Sequence, residues 1–444
     1  MPAESSLKLK ATSPFRYAIG MFGTSIPINM FKTFALKYYV DMLGLDSGKY
    51  ALVIMIYTFV DAVDNPVYGF ISDRTRTKWG RRRPWMAVSA PLLVLMFIVF
   101  YNVPGGVKSN DTALYIYMLL TYILTGTLDS LINANYGALF PELFPDDKVR
   151  AKTNAMRQAF QLVAMVISIA LTPMITDKIG YGKTSLVYGL IALVVMWYCT
   201  FGCKENPIVA ETEKPQFWPT LKALFTNPKF WIFGFANAFF AVAGSIIMQA
   251  IPLYVKYTLG LEDKMTTYLM ACVFVSTIIS IGVWSLIAKK VKIIKIWKTA
   301  LLMFMVSFVP MYFVSGLYAA MGVSVFLGAC YGGVLATNDV IGAKIMDEDT
   351  EKYGIRREGI YSSAMGFMNR LNGLFVSLAL LIARNRYGYI SGKEPGPDPG
   401  EAAKFLMVIC PIAALMIGIG FAMFMKFKNG NNSAKPERIQ PEEM

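Results

Sequence analysis

The sequence contains no histidine. Without imidazole there is no histidine metal ligand, no histidine general base and no histidine proton relay. Cysteine is scarce as well: five in 444 residues, without paired spacing, and Cys203, Cys272, Cys330 and Cys410 lie in or beside apolar runs. Neither a disulfide framework nor a zinc site is implied. Charge is also thin. Asp, Glu, Lys and Arg make up 16% of the chain, against roughly 25% in a soluble globular protein. The first apolar run lacks a short core followed by an Ala-x-Ala-like site, so no cleavable signal peptide is expected.

Hydrocarbon takes the place of charge. Hydrophobic residues make up 55% of the chain and come in repeated runs, each long enough to cross an apolar layer of about 30 Å. An unpaired backbone amide in hydrocarbon costs several kcal/mol, so such runs are helices or barrel strands. These runs are continuously apolar rather than alternating, which excludes an outer-membrane barrel. Spans are read near 15–40, 47–72, 84–103, 113–141, 153–176, 184–203, 229–258, 265–288, 298–316, 318–345, 358–384 and 403–426. The fold class is an all-α membrane protein of about twelve transmembrane helices. Residues 15–203 form an N-terminal six-helix half and 229–426 a C-terminal one, joined by a middle loop at 204–228 and flanked by tails at 1–14 and 427–444.

The net charge is +14. Its basic residues sit mostly in short loops. Arg74, Arg76, Lys78, Arg81, Arg82 and Arg83 follow span 2, and Lys289, Lys290, Lys292, Lys295 and Lys298 follow span 8. Loops 104–112 and 259–264 carry far fewer. The positive-inside rule therefore puts the basic loops, the middle loop and both termini in the cytoplasm, as in a bacterial inner membrane. The excess reads as orientation and contact with anionic lipid, not as nucleic-acid binding. The two basic loops hold matching places in the two halves, which suggests a transporter built from two structural repeats. No clear internal sequence repeat is visible.

A charged side chain at a bilayer centre costs about 2.5–3.5 kcal/mol on insertion scales, so each one in a span needs a reason. Span 2 carries Asp61 and Asp64, followed by Asn65 and Pro66. Spacing of three puts both carboxylates on one helix face, and Pro66 frees a backbone carbonyl nearby. This oxygen-rich pocket suits Na⁺, Li⁺ or a proton; alternatively the two acids pair with basic residues of a neighbouring helix and only hold the bundle together. Span 4 carries Asp129, Ser130, Asn133 and Asn135, which either line a cavity or bond between helices. In span 5 Arg157 lies deeper than Lys152, and its fork suits a hydroxyl pair or a carboxylate. Lys37, near the outer end of span 1, is expected to snorkel to the headgroups, and Lys32 either does the same or serves a site. Arg370 in span 11 is too deep to snorkel and is expected in a central cavity or beside an acid.

The stretch Asp61-Ala-Val-Asp64-Asn65-Pro66, then Gly69, then Asp73-Arg74-Thr75-Arg76-Thr77-Lys78-Trp79-Gly80-Arg81-Arg82-Arg83-Pro84-Trp85 resembles the signature of the glycoside–pentoside–hexuronide:cation symporters of the major facilitator superfamily. Two further stretches agree: Asn135-Tyr136-Gly137-Ala138-Leu139-Phe140-Pro141-Glu142, and Arg356-Arg357-Glu358-Gly359-Ile360-Tyr361. The resemblance implies a cation site on Asp61, Asp64, Asn65 and Ser130. The family's usual pattern, Asp-x-x-x-Asp-Pro, carries Asn65 at its fifth position here, with Asp64 one place earlier. Melibiose-type members grip sugar hydroxyls with one acid in span 1 and one in span 4; the matching positions here are Ser25 and Asn133, both neutral. The span 5 arginine matches Arg157, and the span 11 lysine is Arg370. Fewer acids and more cations, with Lys32 among them, suit an anionic sugar-like solute; Asp129 is a further candidate for the solute site. The resemblance implies symport of that solute with Na⁺ or H⁺ by alternating access, in a protein working as a monomer and needing no cofactor. The gate residues are expected to be Asp73, Arg74, Arg76, Arg81, Arg82 and Glu142. Two rivals stand beside this reading: a lysolipid carrier of the same fold, and an intramembrane prenyltransferase in which Asp61-x-x-Asp64 is half of a Mg²⁺-diphosphate site.

Overall fold

The protein is described from a computed structural model covering residues 12–426, apart from 76, 145–146, 206–226, 289, 354–364, 366–367 and 370–371; at some helical positions only the backbone is described. Its long helices are α1 (Gly20–Leu36), α2 (Ser47–Arg74), α3 (Arg83–Tyr101), α4 (Asp111–Leu143), α5 (Asp147–Met165), α6 (Thr172–Gly202), α7 (Pro228–Leu253), α8 (Thr266–Ala288), α9 (Ile293–Val306), α10 (Leu317–Tyr353), α11 (Asn372–Tyr387) and α12 (Cys410–Met423). Polar residues start several of them. Asp46 accepts the amides of Gly48 and Lys49 at 2.9 and 3.1 Å ahead of α2, and Asn110 accepts that of Ala113 at 3.0 Å ahead of α4. Each satisfies donors that the first helical turn leaves unpaired. Spans 5 and 6 meet at a tight break: α5 runs through a π turn at Val166–Ala170 into α6, and Gly180 (φ 78°) kinks the chain inside 177–183, the stretch the sequence reading leaves between the two spans.

Eight of the described helices are long and apolar enough to cross a membrane by length and composition. α1, α2, α5 and α11 fall outside that set, and the first three are the helices that carry Lys32, Asp61, Asp64 and Arg157. Val194, Ile279, Leu286 and Phe59 are exposed on the flanks of the bundle. Such a surface belongs in hydrocarbon rather than in water.

With lipid tails as apolar as leucine, packing rests on small residues that let backbones approach. A Cβ on Gly126 of α4 would sit 2.2 Å from the Tyr57 ring of α2, and one on Gly328 of α10 would sit 2.0 Å from Ser276 of α8. Between the halves, α2 packs on α11, α1 on α7, and the π turn that ends α5 on α8.

A repeat invisible to direct reading emerges where α1 and α7 end. Both finish in a π turn, Lys37–Met42 and Tyr254–Thr258, followed by Leu-Gly-Leu. Leu43 N–H donates to the Tyr38 carbonyl at 3.0 Å and Leu45 N–H to that of Tyr39 at 2.9 Å; Leu259 and Leu261 do the same to Tyr254 and Val255, both at 3.0 Å. Gly44 and Gly260 supply the positive φ that this cap requires. The Tyr38 hydroxyl donates to the carbonyl of Tyr101 at 2.8 Å and the Tyr254 hydroxyl to that of Met311 at 2.6 Å. The repeat therefore lies in backbone geometry and a sparse Tyr…Leu-Gly-Leu frame, not in continuous sequence.

The two caps meet at the end of the molecule opposite the basic loops. Asp41 accepts from Lys256 at 2.7 and 2.9 Å, from the Tyr257 hydroxyl, and from Lys37 on its own turn. Lys37 reaches on to Asp263 at 2.8 Å. Lys37 does not snorkel: its side chain is 3% exposed, because two carboxylates supply inside the protein what the headgroups would otherwise give. Nearby, Arg384 donates to Asp46 at 2.9 and 3.1 Å, Ser47 N–H to the Ile390 carbonyl at 2.7 Å, and Gly392 N–H to the Val40 carbonyl at 2.9 Å. Among the described residues, the polar bonds between the halves gather at this end, and they seal it.

Candidate functional site

Midway along α2, Asp61 and Asp64 face α4. Ser130 donates to Asp61 Oδ1 at 2.7 Å and Thr127 to Asp64 Oδ2 at 2.8 Å. The matching spacings, 61/64 on one helix and 127/130 on the other, pair two carboxylates with two hydroxyls. Tyr57, one turn before Asp61, adds its hydroxyl to Asp61 Oδ1 at 3.3 Å, and Gly126 gives its ring room. Every donor atom here is an oxygen. That set suits a hard monovalent cation or a proton and has nothing to offer a soft transition metal. Tyr57 and Thr127 escaped the sequence reading, since a lone hydroxyl in an apolar helix carries little signal. Asn65, Asp73, Arg74, Arg76 and Arg370 lie, as side chains or entirely, outside the described residues.

The second cluster begins one residue along α4. Asp129 Oδ2 lies 3.6 Å from Lys32 Nζ of α1, and Asp129 also accepts from the Asn133 amide. Asp129 is buried, whereas the Lys32 side chain is 52% exposed. The lysine therefore opens onto solvent with a buried counter-ion behind it. Ser25, two turns before Lys32, is buried, and no hydrogen bond joins it to Lys32, Asp129 or Asn133. Between them on α1, the Asn29 amide nitrogen is buried without a partner among the described residues. A buried donor left unmade costs about 1–3 kcal/mol, which marks Asn29 as a further candidate for a solute contact.

Arg157 does not join this cluster. Its guanidinium stacks over the Phe140 ring at 5.0 Å, and its Nε has no partner among the described residues. Phe140 stands three turns beyond Asp129 on α4, roughly 16 Å at 1.5 Å per residue.

At the basic end, Arg81 and Arg82 both bond Glu142 of α4, Arg82 Nε at 3.0 Å. Glu205, in the stretch read as middle loop, accepts the backbone amides of Arg81, Arg82 and Arg83 at 2.8, 3.1 and 2.7 Å. A carboxylate at a helix N-terminus meets both free amides and the positive end of the dipole. Gly80 (φ 105°) makes room for it, since a Cβ there would lie 2.5 Å from the Glu205 carboxyl carbon. These bonds brace the α2–α3 loop against α4 and the end of α6, all in the N-terminal half.

The profile of the family described as MFS/sugar transport protein matches residues 16–429. The chain is 22% identical over 434 residues to a putative 2,3-dihydroxypropane-1-sulfonate exporter of Salmonella typhimurium, covering 94% of this chain and 92% of that protein. It is 23% identical over 442 residues to a putative sulfoquinovose importer of Escherichia coli, covering 94% and 92%. It is 24% identical over 441 residues to the isoprimeverose transporter of Lactiplantibacillus pentosus, covering 93% and 88%. Among solved structures, the nucleoside transporter NupG superposes with a TM-score of 0.69 at 10% identity, covering 93% of this chain and 99% of that one. An inward-facing bacterial homologue of the lysosomal transporter Spinster superposes at 0.68 and 12% identity, covering 93% and 95%. The fold is thus the major facilitator fold. The prenyltransferase reading falls with it: Asp61 and Asp64 serve hydroxyls of α4 in a transporter, not a diphosphate in an enzyme. A profile match over almost the whole length, on a helical bundle with a carboxylate pair at its centre, makes this chain a member of the MFS/sugar transport family.

Proposed function

We propose that the protein couples the flow of Na⁺ or H⁺ to uptake of an acidic sugar-like solute. The observation that carries this reading is the solvent-open Lys32 paired with Asp129, one residue from the Ser130–Asp61 bond. The cation occupies Asp61 and Asp64, with Ser130, Thr127 and Tyr57 completing its oxygens and Asn65 beside them. Lys32, Asn29 and Asn133 receive the solute. Two of the relatives named above handle sulfonates by name, which agrees with a lysine at the solute end. Arg157 and Arg370 complete the solute path toward the basic end, and Ser25 forms part of its wall. Asp73, Arg74 and Arg76, with the braced Arg81–Arg82–Glu142 group, form the gate at that end. Both termini and the basic loops face the cytoplasm, anionic lipid contacts the basic loops, and one copy of the chain suffices for transport. The sealed end then faces outward.

The test is transport by purified protein in liposomes, under an imposed Na⁺ gradient and a pH gradient in turn. Sulfoquinovose and glucuronate represent acidic sugars; isoprimeverose and melibiose represent neutral ones. The acidic probes are expected to accumulate with one of the two gradients, and Lys32→Gln to lower their uptake at least tenfold while sparing any neutral probe. That factor corresponds to about 1.4 kcal/mol, in the range of one charge-assisted hydrogen bond. Equal transport of neutral and acidic sugars by the unaltered protein would sink the acidic preference. Reversing the gradient distinguishes uptake from export.

A further inference from the structure

We infer that Asp129 is the residue that makes solute binding conditional on the cation: it masks Lys32 while the cation site is empty and releases it when the site fills. This rests on the cation and solute sites proposed above. Asp129 and Ser130 are consecutive on α4, so their side chains leave the helix about 100° apart. One points to Asp61 of α2, at 2.7 Å through Ser130, and the other to Lys32 of α1, at 3.6 Å. A single rigid helix thus touches both sites with neighbouring residues.

The charges supply the direction. Without a cation, Asp61 and Asp64 of α2 face Ser130, the neighbour of Asp129, on α4, and Lys32 is a cation that the structure pairs with Asp129. Lys32 is then held by a carboxylate, and an incoming anion must displace it. A cation at Asp61 draws Ser130 toward it as an oxygen ligand and turns α4 in that sense. It also attracts Asp129 away from Lys32. The half-exposed ammonium is left to take a sulfonate or carboxylate. By reciprocity the bound anion, by engaging Lys32, frees Asp129 to favour the cation. Asn133 keeps its hydrogen bond to Asp129 in both arrangements, since Asp129 Oδ1 accepts from its amide and not from Lys32.

The experiment measures binding of sulfoquinovose and glucuronate to the purified full chain, with and without saturating coupling cation, for the unaltered protein, Asp129→Asn and Asp129→Glu. The unaltered protein is expected to bind the acidic probe at least tenfold more tightly with the cation. Asn keeps the hydrogen bond to Asn133 but drops the charge, so Asp129→Asn should bind the probe without cation nearly as tightly as with it, leaving a ratio under threefold. In liposomes it should exchange solute but no longer accumulate it. Asp129→Glu should restore the cation dependence. A purely structural Asp129 would lower affinity by the same factor in both conditions, and that result, or an undiminished cation ratio in Asp129→Asn, overturns the inference. Should Asp129→Asn fail to fold, Lys32→Gln decides: it must lose the cation dependence of whatever binding it keeps, and retention of that dependence overturns the inference. Failure of the unaltered protein to bind or transport either acidic probe counts instead against the proposed solute class.

Discussion

Asp41→Asn is expected to open the sealed end of the protein about a hundredfold more often. Asp41 is buried and accepts from Lys37, Lys256 and Tyr257, and two of these three partners belong to the other half. Breaking a fully buried ion pair costs roughly 3–5 kcal/mol, because one charge is left without compensation. Lys256 is about one-third exposed and recovers hydration, so a loss of about 3 kcal/mol is expected here. The bonds from Lys256 and Tyr257 exist only while the halves are closed at this end, so their loss falls on the sealed state alone. At about 1.4 kcal/mol per tenfold change, the open population rises roughly a hundredfold. The measurement is labelling of Thr58→Cys, in a variant lacking the native cysteines, by a membrane-impermeant thiol reagent. Thr58 lies against Gly373 of α11, where a Cβ on the glycine would be 2.2 Å from its hydroxyl, and it is buried behind the seal. Gly392→Ala should act in the same sense, since its Cβ would lie 1.7 Å from the Asp41 carbonyl oxygen. Unchanged labelling in both variants would mean that the seal lies elsewhere.

Sequence reasoning reached the helices and the two halves because insertion into hydrocarbon is a strong, local constraint. An apolar run announces itself residue by residue. Asp61 and Asp64 were legible for the same reason, since a carboxylate in such a run demands an explanation. Their partners were not. Thr127 and Tyr57 are unremarkable in a membrane helix until α2 and α4 are placed side by side. Lys37 misled because its position near the end of span 1 suggested snorkelling, although Asp41 stands four residues on; its other partner, Asp263, is 226 residues away. Glu205 was hidden in a stretch read as linker, and its role depends on backbone amides that no side-chain pattern shows. The Tyr38 and Tyr254 caps reveal the repeat only through hydrogen bonds, because the two halves keep the geometry and few of the letters. Arg157 was singled out by its depth in span 5 and by its likeness to a family position, yet here it stacks on Phe140, well along α4 from Asp129. Local constraints were readable, and pairings across the bundle were not.

The largest effect is expected from Asp61→Asn. Asparagine has the same shape and still accepts from Ser130 and Tyr57, so the contact between α2 and α4 survives and the protein folds. What goes is one of two negative charges at the cation. A unit charge about 4 Å away contributes roughly 4 kcal/mol at an effective dielectric constant near 20. Its loss should weaken cation binding on the order of a thousandfold. One cation carried with one monoanionic solute moves no net charge and gains nothing from the membrane potential, so an intact symporter accumulates that solute by the cation's concentration gradient, roughly tenfold for each tenfold gradient. Asp61→Asn, with its site empty at any ordinary cation concentration, should accumulate nothing, and internal and external solute should merely equalise. Solute exchange at equal concentrations, set well above the weakened solute affinity of the cation-free site, is the control, because it needs the solute site and the rocking of the halves but no net cation flow. Accumulation lost with exchange retained assigns Asp61 to the cation and leaves Lys32 and Asp129 to the solute. Accumulation retained would reduce the Asp61–Ser130 bond to a brace between α2 and α4, and the coupling would have to rest on Asp64 and Thr127 alone.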